Sequence, residues 1–254
     1  MCTIRIASFV LCALSIFWQA SRARGDEPTP VASVSELQAE GLRALEKGNR
    51  VAATDVADLL VGKHKDDARA VLVAGDLYLR AGRIHTSLKQ FERYIALVPG
   101  DQAQLWQYGI ALTLANRFDR GRELFELHRV VNSNDVENAA WHFLCVAKTT
   151  NLNEAKALVL PAPGDSRVPM SQIQSLLVDG NEQNVIDAVA RLSEGSDSRR
   201  SADFYGKLYL GLYADAQGDA TKAIKLVGDA VKIAEPDYMG DIARVYLAEL
   251  VAEN

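Results

Sequence analysis

Residues 164–166 read Gly164-Asp165-Ser166, a serine beside an acid, which is how a nucleophile motif for ester hydrolysis begins. Such a nucleophile needs a base and an oxyanion site held by a rigid scaffold. This serine lies instead in a proline-rich run, PAPGDSRVP, with no strand pattern before it. Asp165 and Ser166 are therefore expected to make turn hydrogen bonds, and a hydrolase is the remote reading. The four histidines, His64, His85, His128 and His142, are scattered and show no metal spacing. His142 and Cys145 stand three apart on one predicted helix and could place two ligands together, but a zinc site needs further ligands that are missing here. Core packing is expected for His128, His142 and Cys145, with no metal and no cofactor. Arg199-Arg200 reads as a solvated face, the alternative being a site for an acidic partner.

What must position all these residues is a repeat. Gly41, Gly75 and Gly109 recur every 34 residues. Gly48, Gly82 and Asn116 follow seven residues behind, then Ala53, Ser87 and Gly121, then Ala57, Phe91 and Phe125. A fixed period with small residues at fixed offsets marks a stack of helical hairpins. The first glycine falls where two helices cross closely. The second, or its Asn equivalent, ends the first helix in a left-handed conformation. The third position, small, lets the second helix approach, and the fourth fills the layer between repeats. Ala57 fills it poorly, so the first repeat is the weakest match. These positions are similar to those of the tetratricopeptide (TPR) repeat. The resemblance implies an all-α helix-turn-helix solenoid whose usual work is protein binding.

The repeats are expected over residues 34–67, 68–101 and 102–135, together a three-TPR segment, 34–135. A divergent helical region follows over 136–203. It comprises a helix at 136–148, a turn in which Asn153 caps a short helix at 154–160, the proline break, and a hairpin at 171–178 and 182–192 around Gly180. The repeat returns over 204–254, where Gly211, Gly218, Ala223 and Val227 fall on the same offsets. A last amphipathic helix, 237–252, is expected to cap the solenoid. No segment has strand periodicity.

Residues 1–23 read as a signal peptide: Arg5, an apolar run from Ile6 to Ala20, and small residues around Ala23. At 15 residues the run is short for a membrane span, which needs roughly 20. Cleavage and export to the periplasm or medium is the favoured reading, an uncleaved anchor the alternative. Leu11 precedes Cys12 where a lipobox requires a small residue, so no lipidation is expected. A flexible leader occupies 24–33. The formal charge is −5, and loss of residues 1–23 removes Arg5 and Arg22, leaving −7. An acidic chain has no evident reason to bind nucleic acid. Cys145 alone would remain after cleavage, so the core must hold the fold without a disulfide.

Three repeats, a divergent pair, a break, and a final repeat announced by FYGKLYL at 204–210 resemble the NlpI family of bacterial lipoproteins. The resemblance implies a dimeric periplasmic adaptor that brings a protease and cell-wall hydrolases together. Without a lipobox, membrane association and the particular partners stay open.

In a TPR the concave groove is lined from the first helix of each hairpin. Those positions hold Arg69, Leu72, Asp76, Leu79 and Arg80 in the second repeat, and Ala103, Trp106, Ile110, Thr113 and Leu114 in the third. They lack the Lys and Asn that clamp a terminal carboxylate, and suit an apolar helix or extended peptide. Trp106 is either an exposed anchor or part of the core; both readings stand. The sequence thus predicts a non-catalytic adaptor with a protein or peptide partner and no small-molecule substrate. A self-assembling structural subunit is the alternative, and exposed apolar residues on the last helix would favour it.

Overall fold

The computed structural model describes residues 32–253. The signal peptide expected over 1–23 and most of the leader lie outside them. Among the described residues all regular structure is helical. Thirteen α-helices form it: α1 (Val34–Glu46), α2 (Arg50–Lys63), α3 (Ala68–Arg80), α4 (Ile84–Leu97), α5 (Trp106–Leu114), α6 (Phe118–Val131), α7 (Val136–Thr149), α8 (Leu152–Ala157), α9 (Met170–Asp179), α10 (Glu182–Ala190), α11 (Asp197–Ala216), α12 (Ala220–Val231) and α13 (Tyr238–Ala252). A 3-10 turn at Pro99–Gln104 leads into α5.

Local chemistry sets the starts. Ser33 and Glu36 form a reciprocal capping box at α1, with the Ser33 amide donating to Glu36 Oε2 at 2.8 Å. Asn49, Asp67, Asp135, Ser196, Asp219 and Asp237 accept backbone N–H groups at their own helices. One cap differs from expectation. Asn151, not Asn153, accepts the Glu154 amide at 3.0 Å, so α8 begins earlier and ends at Ala157.

The spacing of small residues meets the physical demands placed on it. Gly48, Gly82, Asn116 and Gly218 all have positive φ, 69°, 80°, 57° and 79°, and each ends the first helix of a hairpin. The crossing glycines are equally specific. A Cβ on Gly109 would meet Phe125 Cε1 at 2.6 Å, and one on Gly211 would meet Val227 Cγ2 at 2.6 Å. Gly75 is covered by Phe91 in the same way. In the first hairpin, where Ala57 is too small, Leu77 of α3 covers Gly41 instead. Ser87 uses its approach to donate a buried hydrogen bond to the Gly75 carbonyl at 2.7 Å.

Successive helices pack on one another from α1 to α7, and α7 then receives α8, α9 and α11. α13 packs on α12 as expected of a cap, but it also reaches back to α3. Its apolar residues are spent inside: Ile242, Ala243, Val245, Tyr246 and Leu250 are buried, leaving Val251 as its exposed large apolar side chain. That distribution counts against assembly through the last helix.

Gly109→Ala is expected to destabilise the fold by about 1–3 kcal/mol, since Phe125 must move. Gly62→Ala in α2, where a Cβ meets nothing within 4 Å, is expected to stabilise it by about 0.5–1 kcal/mol. Urea unfolding of both variants checks the contrast.

Candidate functional site

From the first helices of the second and third hairpins, Asp76 and Arg80 of α3 and Trp106 of α5 meet α13. Arg80, buried on α3, donates from Nε and Nη2 to Asp241 Oδ2 of α13 at 3.0 and 2.9 Å, across 161 residues of sequence. Asp76 flanks Arg80 at 3.9 Å. The Arg80 guanidinium also lies 5.0 Å from the centre of the Tyr238 ring, and Tyr238 packs edge-on against Trp106 at 4.7 Å. Burial pushes the Asp76 and Asp241 carboxyls above the usual range, with Arg80 opposing it at both. Removing one member of such a buried pair leaves the other charge uncompensated, at a cost of about 3–5 kcal/mol.

Further contacts extend the seam. Val245 approaches Gly82, and Asn116 donates to Glu253 at 2.6 Å, so two left-handed turn residues touch the last helix or its end. Tyr246 donates to Asp215 Oδ2 at 2.7 Å, while Lys148 holds the other oxygen of Asp215 at 2.6 Å. The Tyr246 ring packs edge-on against Trp141 at 5.4 Å.

The predicted groove residues have these places, with Ala103 half-buried in the 3-10 turn before α5. Arg69 is exposed and donates to Gln38 of α1 at 3.1 Å. Leu72 is half-buried. Asp76 and Arg80 face α13, and Leu79 and Leu114 are core residues. Trp106 packs against another helix of its own chain through Tyr238, yet stays half-exposed, so it belongs to neither reading alone. Ile110 and Thr113 are buried; the Thr113 hydroxyl donates to the Gly109 carbonyl at 2.9 Å beside Cys145. Asp76, Leu79, Arg80, Ile110, Thr113 and Leu114 are thus taken up by the chain itself, and the accessible part of this face is Arg69 with the half-buried Leu72, Ala103 and Trp106.

A cavity of about 250 Å³ remains beside the seam. Trp106 and Ile110 of α5, Phe125 of α6, Asn138 and Trp141 of α7, and Tyr238 and Met239 of α13 form its walls, with Asp135 and Glu137 lining it as well. Burial raises the Glu137 carboxyl even though Arg167 donates to it at 2.6 Å and Tyr209 at 2.8 Å. The Trp141 indole N–H and the Asn138 amide oxygen, both buried, find no partner within the chain. A buried polar group left so costs about 1–3 kcal/mol unless something else bonds it.

The other residues considered for chemistry have structural surroundings. Asp165 is held by two nitrogens of Arg167, at 2.9 and 2.7 Å, within its turn. Cys145 is fully buried, and burial pushes its thiol up to about 12, with Thr113 opposing. His128 is buried against the Ala103 carbonyl at 2.8 Å. Arg199 donates to the Ala190 and Leu192 carbonyls, and Arg200 pairs with Asp197 and Glu235. No group of three or more metal-ligating side chains occurs among the described residues, and none of their helices is long and apolar enough to cross a membrane. Compared with known proteins, the chain matches no family model and no curated sequence.

Sequence reasoning missed Tyr238, Asp241 and Asn138. Tyr238 and Asp241 act through partners far off in the chain, which neither periodicity nor spacing reveals, and Asn138 bonds the Phe125 carbonyl of the preceding helix.

His142 generates a pH prediction. Its ring is buried beside Glu126, with Nε2 3.2 Å from Oε1. Burial lowers its affinity for a proton, Glu126 only partly opposing. The unfolded chain, titrating near 6.5, therefore takes up a proton that the folded chain refuses, and stability falls as pH drops through that value. His142→Gln is expected to lose less stability than the wild type between about pH 7.5 and 5.5, read by urea midpoints.

Proposed function

We propose that this chain is an exported TPR solenoid that works as a protein-binding adaptor of the cell envelope and performs no chemistry of its own. Its partner, a protease or cell-wall hydrolase in the reading that the NlpI resemblance implies, docks on the face formed by the first helices of the second and third hairpins. The observation that carries this reading is α13. An amphipathic helix already lies along that face, held by an ion pair, a cation–π contact and edge-on aromatic rings. A surface that binds one helix of its own chain has the chemistry to bind a helix or peptide presented by another. The partner's contacts fall outside α13, at Arg69, Leu72 and the open side of Trp106.

The supports are the left-handed hairpin turns at the expected positions, the crossing glycines under Phe91, Phe125 and Val227, and the net negative charge of the chain. Against a self-assembling subunit stands the internal use of α13. Trp106 is not the residue to test, because its loss also removes the packing under Tyr238.

Arg69 serves better: it is exposed, and its one recorded bond is to Gln38. With the full chain as bait in envelope extract of its own organism, Arg69→Glu is expected to lose a retained protein by at least about tenfold, or about 1.4 kcal/mol. Helical circular dichroism and melting temperature should not change. An unaltered set of retained proteins would place docking elsewhere.

A further inference from the structure

The cavity beside α13 combines aromatic walls with an unbalanced charge. Trp106, Phe125, Trp141 and Tyr238 are four of the nine side chains that line it. Trp106, Asp135, Glu137 and Tyr238 are half-buried, so it opens to solvent. The charged groups that line it or pair with its walls do not cancel. Glu137 and Asp165 share one cation, Arg167. Arg80, beside the Tyr238 ring, and Arg244 are matched by Asp76 and Asp241. Asp135 forms no ion pair among the described residues and accepts instead from the Glu137 and Asn138 amides at 2.9 and 3.2 Å. Five carboxylates thus stand against three guanidinium groups, and the excess negative charge lies on the Asp135 and Glu137 side.

We propose that this cavity is a binding site for a quaternary ammonium ion the size of choline. The charge calls for a cation, and walls that include Trp106, Ile110, Phe125 and Met239 call for one with an apolar surface. Hydrogen bonding then decides its type. Every carboxylate oxygen in the walls is already bonded. Glu137 Oε1 accepts from Arg167 at 2.6 Å and Oε2 from Tyr209 at 2.8 Å. Asp135 Oδ1 holds the two amides of α7, and Oδ2 takes the Asn132 amide nitrogen at 3.4 Å. The Asn138 oxygen and the Trp141 indole N–H are enclosed and present no surface to a ligand. A primary ammonium would give up water at three N–H donors and find no free acceptor in return; a quaternary one has no N–H to satisfy. It needs only the field of the carboxylates, which acts at a distance and is strong away from bulk water. Burial keeps the Glu137 carboxyl above the usual range although Arg167 and Tyr209 bond it, and Asp135 adds to the effect, so a further positive charge is welcome there. The volume of about 250 Å³ admits a trimethylammonium head with a short tail. The site is separate from Arg69 and Leu72 and does not depend on the adaptor reading.

The test follows tryptophan fluorescence of the full chain at constant ionic strength, since Trp106 and Trp141 both line the cavity. Choline is expected to change the signal saturably. Its uncharged isostere 3,3-dimethylbutan-1-ol and the primary amine ethanolamine are each expected to bind at least tenfold more weakly. Asp135→Asn keeps a side chain that caps α7 and removes one charge. It is expected to weaken choline at least threefold and to leave 3,3-dimethylbutan-1-ol and the melting temperature unchanged. If that variant fails to fold, the comparison of the three probes on the wild type decides alone. The amide of Nα-acetyl-trimethyllysine then distinguishes the source: binding equal to choline points to a methylated side chain of another polypeptide, and binding of choline alone to a free small ion. No saturable change with choline, or equal binding of either control probe, overturns the proposal.

Discussion

The ion pair between Arg80 and Asp241 is the interaction on which the arrangement of this molecule turns. It joins α3, in the second hairpin, to α13, at the other end of the chain. Without it the hairpins could still form, because each is set by local caps, left-handed turns and glycine crossings. What the pair adds to the other contacts of α13 is its register across α3. The pair is expensive to bury, since both charges leave water. The surroundings offset that cost: Arg244 pairs with the second oxygen of Asp241 at 3.3 Å, and the Tyr238 ring lies near the guanidinium. A merely apolar seam would hold a helix there with less definition of register. An ion pair with two donating nitrogens on one carboxylate oxygen fixes it.

The consequence for function is that the face which a helical-repeat protein would offer to a partner is partly taken by its own last helix. This divides the predicted groove into an occupied part, where Asp76, Arg80 and Trp106 meet α13, and an outer part at Arg69 and Leu72. It also creates the cavity. α13 approaches α7 closely enough to bring Tyr246 onto Trp141, while Tyr238 and Met239 line the cavity together with Asn138. The volume left between them follows from a helix that is held at specific points and not packed throughout.

Much of the fold was legible in the sequence, for a physical reason. The hairpins are local objects: Gly82 and Asn116 need only their own backbone to turn, and Gly75 and Gly109 answer to aromatic residues 16 positions on, inside the same repeat. The site was legible only as a face. That Ile110 and Thr113 are buried, and that Arg80 has Asp241 as its partner, depends on how the chain returns after α12. Return geometry is set by the sum of many side-chain volumes and leaves no periodic mark. The orphaned Asn138 oxygen is less visible still, because an asparagine in an apolar helix reads as a packing residue until its neighbours are known. Asn151 taking the cap expected of Asn153 is a smaller case. Both asparagines suit a cap, and the helix starts at the first one the turn allows.

The measurement that bears most directly on this account is a double-mutant cycle on Arg80 and Asp241, from urea unfolding of the wild type, Arg80→Ala, Asp241→Ala and the double variant. If α13 lies on α3 as described, the two substitutions are strongly coupled, by about 1–3 kcal/mol, and the second costs little once the first is made. Additivity within about 0.5 kcal/mol would mean that the two residues do not meet, and the placement of α13 across the groove would be wrong.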